Sequence, residues 1–366
     1  MRVLFPLYAL FLTIFVVFSY LFIDQNLFYL KNLYTGFAYQ NRGIVSVAYL
    51  LSILIFFAFY YLFLKKINNK ELFKLIAVSS LILIFSYPAM LSFDILNYIA
   101  TAKVLFFYQE NPYIIMPIEF VDDPLLLFTR AANKVALYGP IWVISSGIPY
   151  LLGLKNFVLT LFNFKVFVTF FYLGNVYLLQ KYTKDPKATA LFTLSPLVLI
   201  ETFVSSHNDV VMMFFGLLSI TLLMKNKWKL AIFFLLLSVL IKYSTIFLIP
   251  VFLYYFLLRS KGKTVDWEKI FLFSYISMLV IFILSVFREE IYPWYGIWFL
   301  IFLPFLRRYK FILYFSILIS FLLLLRYLPY MYLGNYFGAT PIMREALTFV
   351  PLLFFLIIYK IKLSKN

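Results

Sequence analysis

Asp94 stands in the stretch Ser92-Phe93-Asp94-Ile95-Leu96-Asn97-Tyr98, at the end of an apolar run over residues 72–91. A carboxylate at the mouth of a membrane helix is costly to bury, so it marks a candidate for chemistry. Groups of the same kind recur along the chain. They are Asp122 and Asp123, Lys165, the turn containing Glu201, Ser205, Ser206, His207, Asn208 and Asp209, then Lys242, then Arg288, Glu289 and Glu290, then Tyr292-Pro293-Trp294-Tyr295. Carboxylates of this set can act as general bases, and its cations can hold phosphate. Plainer uses compete. Asp122 and Asp123 precede Pro124 and could simply shape a turn. Lys165 could snorkel to the interface, and His207-Asn208-Asp209 could cap a helix start. Glu289 and Glu290 could be a solvated pair, and Tyr292 to Tyr295 could be an interfacial aromatic belt. Lys242 is harder to dismiss, because a lysine at an intramembrane turn needs a partner.

The elements that must position these groups are membrane spans. The 366-residue chain is 64% hydrophobic, 22% aromatic and 13% charged, with mean hydropathy +0.96. A soluble domain of that size does not have this composition. Apolar stretches of about 15–24 residues recur, near the length that crosses roughly 30 Å of hydrocarbon. They predict spans near residues 3–23, 43–64, 72–91, 157–180, 188–204, 209–224, 229–241, 243–258, 268–286, 295–306, 309–326 and 345–361. The expected fold is an all-α polytopic bundle of about twelve transmembrane helices. It is a single transmembrane domain over residues 1–366, with a retained first span and no soluble domain.

Charge sets the orientation. With both termini cytoplasmic, 21 of the 32 Lys and Arg fall in cytoplasmic loops, and 11 of the 15 Asp and Glu fall outside. This follows the positive-inside rule, and the same rule decides residues 141–154. Were that apolar stretch to cross, about 16 of the clustered cations would face outward, so it is laid in the outer interface. Tyr138-Gly139-Pro140 suits its start, since proline in a first turn loses no needed hydrogen bond. Residues 92–156 then form one large outer loop carrying two interfacial helices, near 95–108 and 141–154. Residues 327–344 form a second outer loop.

Several classes drop out. The net charge of +17 is scattered among short loops, which is a topology signal and not a nucleic-acid surface. The chain has no cysteine, which excludes disulfides and thiol catalysis, and its single histidine rules out a multi-histidine metal centre within one chain. Charged residues gather at one face, and no inverted repeat stands out. Both features weigh against a transporter with mid-membrane ion sites.

Taken in order, the motifs form a pattern. Ser92-Phe93-Asp94 with Tyr98 is followed by Asn111-Pro112-Tyr113 and Tyr138-Gly139-Pro140-Ile141-Trp142. Next come Ser195-Pro196-Leu197, His207-Asn208-Asp209, Lys242 before Pro250, and Tyr292-Pro293-Trp294-Tyr295. Over roughly residues 72–300 the chain resembles the GT-C superfamily of membrane glycosyltransferases. It is most similar to the polyprenyl-phosphate-mannose-dependent mannosyltransferases. The resemblance implies a hexose, mannose above others, taken from a polyprenyl- or dolichyl-phosphate carrier. The sugar passes to a glycolipid or lipid-linked glycan on the extracytoplasmic face, with inversion. It implies Asp94 as catalytic base and Lys242, Arg288 and Lys165 as donor-phosphate contacts. Tyr98, Asn111, Tyr113, Tyr138, His207, Asn208, Asp209, Trp294 and Tyr295 are expected at the substrates. The acidic motif departs from the two-acid Asp-x-Asp form, being a lone Asp94, and Lys103 has no assigned role. A divalent cation is a further expectation, with Asp122 and Asp123 as its low-ranking ligands, because hard cations prefer oxygen. The rival readings are an oligosaccharide ligase or polymerase using a lipid-diphosphate donor, and a lipid or sugar transporter.

Overall fold

The computed structural model describes residues 3–287 and 290–364. The chain is 76% helix, with no strand among the described residues. Among the described residues, seven helices are long and apolar enough to cross a membrane: Leu4–Phe22, Arg42–Lys66, Phe157–Thr183, Tyr243–Ser260, Trp267–Phe287, Lys310–Leu333 and Ala339–Lys362. An eighth crossing is made if Pro186–Thr193 and Pro196–Val204, bent by 53° at their break, count as one span. Asp209–Met224 and Trp228–Ile241 are shorter apolar helices.

Local chemistry explains where runs expected to be long helices stop. The apolar run over residues 72–91 is helical only in Asn69–Leu83, which begins on a capping box between Asn68 and Glu71. The chain then turns. The Ser86 hydroxyl donates to the Leu83 carbonyl at 2.6 Å, and the Tyr87 N–H donates to Ser19 Oγ at 2.8 Å. Pro88, with no N–H to give, starts a short 3-10 turn. The Ser86 carbonyl left over is taken by the buried Lys165 ammonium, which also reaches Ser86 Oγ at 3.1 Å. Lys165 thereby acts as a buried cap on a broken helix. The stretch 295–306 is likewise a series of short turns, Pro293–Gly296, Ile297–Leu300 and Leu303–Leu306.

The centre of the molecule is the broken helical pair. Every residue from 188 to 213 is buried. Pro196 opens Pro196–Leu199, which runs into one π-helical turn, Ile200–Val204. Such a turn widens the helix and often occurs where a protein builds a site. Ser206 then takes the left-handed conformation (φ 57°), and a new helix starts at Asp209.

Helix ends sort into two groups. At one end Gln180 donates to Asn69 at 3.0 Å, Arg307 pairs with Asp185, and Arg308 pairs with Glu268 at 3.5 Å. At the other end Asp94, His207, Glu201 and Tyr327 are joined by direct contacts, and so are Asp209, Lys242 and Trp298. Beside this second group, Arg326 pairs with Glu290 and Glu345, and Arg344 pairs with Glu290. The segment expected as a second outer loop is largely helical. Tyr327–Leu333 ends at Gly334 in the left-handed region, and Ala339–Ser364 begins soon after.

Candidate active site

Asp94 opens the helix Asp94–Phe106, where its carboxylate sits in the first turn and is favoured by the helix dipole. Its side chain is 26% exposed, and Oδ2 lies 3.4 Å from His207 Nδ1. His207 is fully buried. Its Nε2 is 3.3 Å from Oε2 of Glu201, which is also fully buried. Both nitrogens are at ion-pair distance without aligned hydrogen bonds. The imidazole stacks on Trp294 at 3.8 Å, and Trp294 stacks on Tyr292 at 4.6 Å. The Tyr327 hydroxyl donates to Glu201 at 2.9 Å from Oε1 and 3.2 Å from Oε2.

Asp209 builds the adjoining half of the site. Its Oδ1 accepts from Lys242 Nζ at 2.9 Å and from the indole N–H of Trp298. Lys242 is in extended conformation at the joint between Trp228–Ile241 and Tyr243–Leu248. Its ammonium lies 4.6 Å from the Tyr295 ring centre and 5.4 Å from that of Trp298. The side chain keeps 22% exposure. The cation is therefore compensated, held by rings and still open to an anion. Asn208 does not cap the helix that starts at Asp209, and neither its amide oxygen nor its amide nitrogen has a partner in the buried turn. The capping alternative for His207-Asn208-Asp209 thus gives way to a polar turn with free hydrogen-bonding capacity.

The Asp94–Phe106 helix and the loop after it close the site. The Tyr98 hydroxyl accepts from the Asn208 N–H at 3.3 Å, and its ring meets Tyr138 at 4.7 Å and Trp142 at 4.9 Å. Burial, reinforced by the nearby Asp94 carboxylate, pushes the Tyr98 and Tyr138 phenols well above their usual range, so both stay neutral. Asn111 Oδ1 accepts from the Tyr113 N–H at 3.0 Å, and the Tyr113 hydroxyl donates to the Tyr138 carbonyl at 2.8 Å. Asn-Pro-Tyr thus braces Tyr138 from behind.

Gly139 docks this loop to the lysine joint. Its N–H donates to the Ile241 carbonyl at 3.0 Å, and a Cβ built there would stand 2.1 Å from the Leu240 carbonyl oxygen. Gly139→Ala should therefore displace the Lys242 joint. The expected cost is about 1–3 kcal/mol of stability, as for overpacking, with a more than proportionate loss of activity. Thermal unfolding and activity of the purified variant check this; a variant with unchanged activity would show that the docking does not matter.

The remaining expected residues sit elsewhere. Lys165 spends its ammonium on Ser86. Asp123 accepts from Lys103 at 2.7 Å, from Tyr108 at 3.1 Å and from the Leu125 N–H at 3.0 Å. Asp123 therefore shapes the turn before Pro124, and Lys103 gains a partner. Arg288 lies outside the described residues. No group of three or more His, Asp or Glu among the described residues is arranged to hold a metal ion. Three residues of the site carried no assigned role from sequence, namely Glu201, Trp298 and Tyr327. The signal for Glu201 was its position as a carboxylate inside an apolar stretch.

The described residues form an all-helical bundle with several membrane-length helices, the build of a multi-pass membrane protein, and gather acids, an imidazole and a lysine at one place. The sequence model of the family described as alpha-(1->6)-mannopyranosyltransferase, N-terminal domain, matches residues 19–258, more than half of the chain. The chain belongs to this family, a GT-C type mannosyltransferase family, and is a glycosyltransferase. No curated protein and no solved structure matches it. Trp294, Trp298 and Tyr327 lie beyond the matched residues.

Proposed function

We propose that this mannosyltransferase moves mannose from a polyprenyl- or dolichyl-phosphate carrier to a glycolipid or lipid-linked glycan, with inversion and in the α-(1→6) linkage of the family description. The observation that carries this reading is the position of Asp94. It is the partly exposed acid of a set whose other members, His207 and Glu201, are fully buried. The acceptor hydroxyl gives its proton to Asp94, and its oxygen bonds to the anomeric carbon. The bond from that carbon to the phosphate oxygen breaks, and the lipid phosphate leaves with the electron pair. An acceptor hydroxyl is a poor nucleophile at neutral pH, so a placed base accelerates the step. The leaving group is already anionic and calls for a cation rather than an acid. Lys242 supplies it, and Arg288 is assigned the same role from its place in the sequence. Trp294, Tyr295, Tyr98, Tyr138 and the free amide of Asn208 are assigned to the sugars.

The same reading places the site outside the cytoplasm. The two short helices Asp209–Met224 and Trp228–Ile241, the Asn69–Leu83 helix and the turns over 295–306 complete about twelve crossings. Both termini are then cytoplasmic, and the lysine- and arginine-rich helix ends face inward. The test uses purified protein in proteoliposomes with radiolabelled mannose on a lipid monophosphate, a lipid diphosphate or a nucleotide. Transfer from the monophosphate alone is expected. Transfer only from the diphosphate would assign a ligase or polymerase, and accumulation of sugar without covalent transfer would assign a transporter.

A further inference from the structure

Glu201 carries a fully buried carboxyl group that the proposed transfer step leaves unused. It has two neighbours of note. Tyr327 gives its hydroxyl to the carboxyl group, and His207 presents Nε2 to Oε2. The opposite ring nitrogen, Nδ1, faces Asp94 Oδ2, and Trp294 fixes the plane of the ring by stacking on it. An ionised carboxylate is an acceptor only, so an Asp94 that serves as base must see a proton on Nδ1 and not a lone pair. Which imidazole nitrogen carries a proton is governed by what the other one meets. Glu201 is what Nε2 meets, and the neutral ring keeps its proton on Nδ1 when Glu201 is the carboxylic acid, accepting from Tyr327 on Oε1 and donating its Oε2–H to Nε2.

We infer that Glu201, braced by Tyr327, is a positioning residue that holds His207 with its Nδ1–H on Asp94 Oδ2 and leaves Asp94 Oδ1 to take the acceptor proton. The inference rests on Asp94 being the base. It extends the site to Tyr327, which lies beyond the residues matched by the family model. Neither Glu201 nor Tyr327 needs to touch substrate. Their effect passes through the imidazole to one carboxylate oxygen, and the conformational freedom they remove is that of the His207 ring and the Asp94 side chain.

The chain contains one histidine, so its ring can be observed without background. Protein labelled with 15N-histidine and purified on a tag free of histidine should show Nδ1 protonated at neutral pH. Glu201→Ala should disturb that state and lower kcat by about 10–100-fold, as for other residues that orient a first contact, with the donor KM little changed. Glu201→Gln can still accept from Tyr327 and donate to Nε2, so it should recover most of the lost kcat. Tyr327→Phe should lower kcat in the same sense and keeps the test open should Glu201→Ala fail to fold. A wild-type spectrum with Nδ1 unprotonated overturns the inference. So does a wild-type kcat and spectrum in both Glu201→Ala and Tyr327→Phe, or a Glu201→Gln variant as impaired as Glu201→Ala. The histidine spectrum is read without turnover. A failure of the base assignment, seen in Asp94→Asn, is therefore distinguishable from a failure of this one.

Discussion

Asp94→Asn should lower kcat by about 10²–10⁴-fold, the range supplied by a placed general base, while the protein folds and binds donor as before. The amide has the shape of the carboxylate and can still accept from His207 Nδ1, but it cannot take a proton from the acceptor hydroxyl. Folding should survive because the side chain is 26% exposed and its charge is not the partner of any lysine or arginine among the described contacts. The favourable placement of a negative charge at the start of Asp94–Phe106 is worth only about 0.3–1 kcal/mol. Transfer from a lipid-phosphate mannose in proteoliposomes, with donor KM measured in parallel, checks the result. A correctly folded variant that transfers at the wild-type rate would remove Asp94 from the role of base.

Lys242→Met should also be severe, for two separable reasons. Loss of the cation that meets the leaving phosphate should cost about 10²–10³-fold in kcat, the scale of one removed electrostatic contact in a water-poor site. The change also leaves Asp209, which is fully exposed to neither water nor another ammonium in the described contacts, as a buried charge. Breaking a buried pair from one side is strongly destabilising, though the 22% exposure of Lys242 moderates it. The double variant Lys242→Met with Asp209→Asn removes the buried charge while Asn can still accept from Trp298. Its thermal midpoint should recover and its transfer rate should not. Recovery of transfer together with stability would mean that Lys242 is only the counterion of Asp209.

Apolar run lengths and the scatter of basic loops were enough to read a helical membrane protein, because both follow from the cost of placing polar groups in hydrocarbon. Asp94, His207-Asn208-Asp209, Lys242 and Trp294-Tyr295 were legible for the same reason, each being a polar or amphipathic group where an apolar run ends. Their pairing was not. Glu201 and His207 are six positions apart, yet they face each other only because a π turn and a left-handed Ser206 reverse the chain between them. Tyr327 reaches Glu201 across 126 positions. Lys165 illustrates the limit from the other side. Its type and depth in the membrane suited a phosphate contact, and the broken helix end at Ser86, which no hydropathy pattern encodes, claims it instead.

The amino-acid sequence by itself determined that this chain is a bundle of membrane helices with acids, one histidine and basic residues gathered at their ends, since transfer energies depend on residue type and run length alone. The tertiary structure alone decided which acid is open and which are sealed. Asp94 lies at a helix start and keeps 26% exposure, Glu201 lies behind the imidazole, and Asp209 lies under Lys242. Exposure and partner are properties of packed neighbours distant in sequence, and these separate three chemically similar carboxylates into one proposed base, one positioning residue and one counterion.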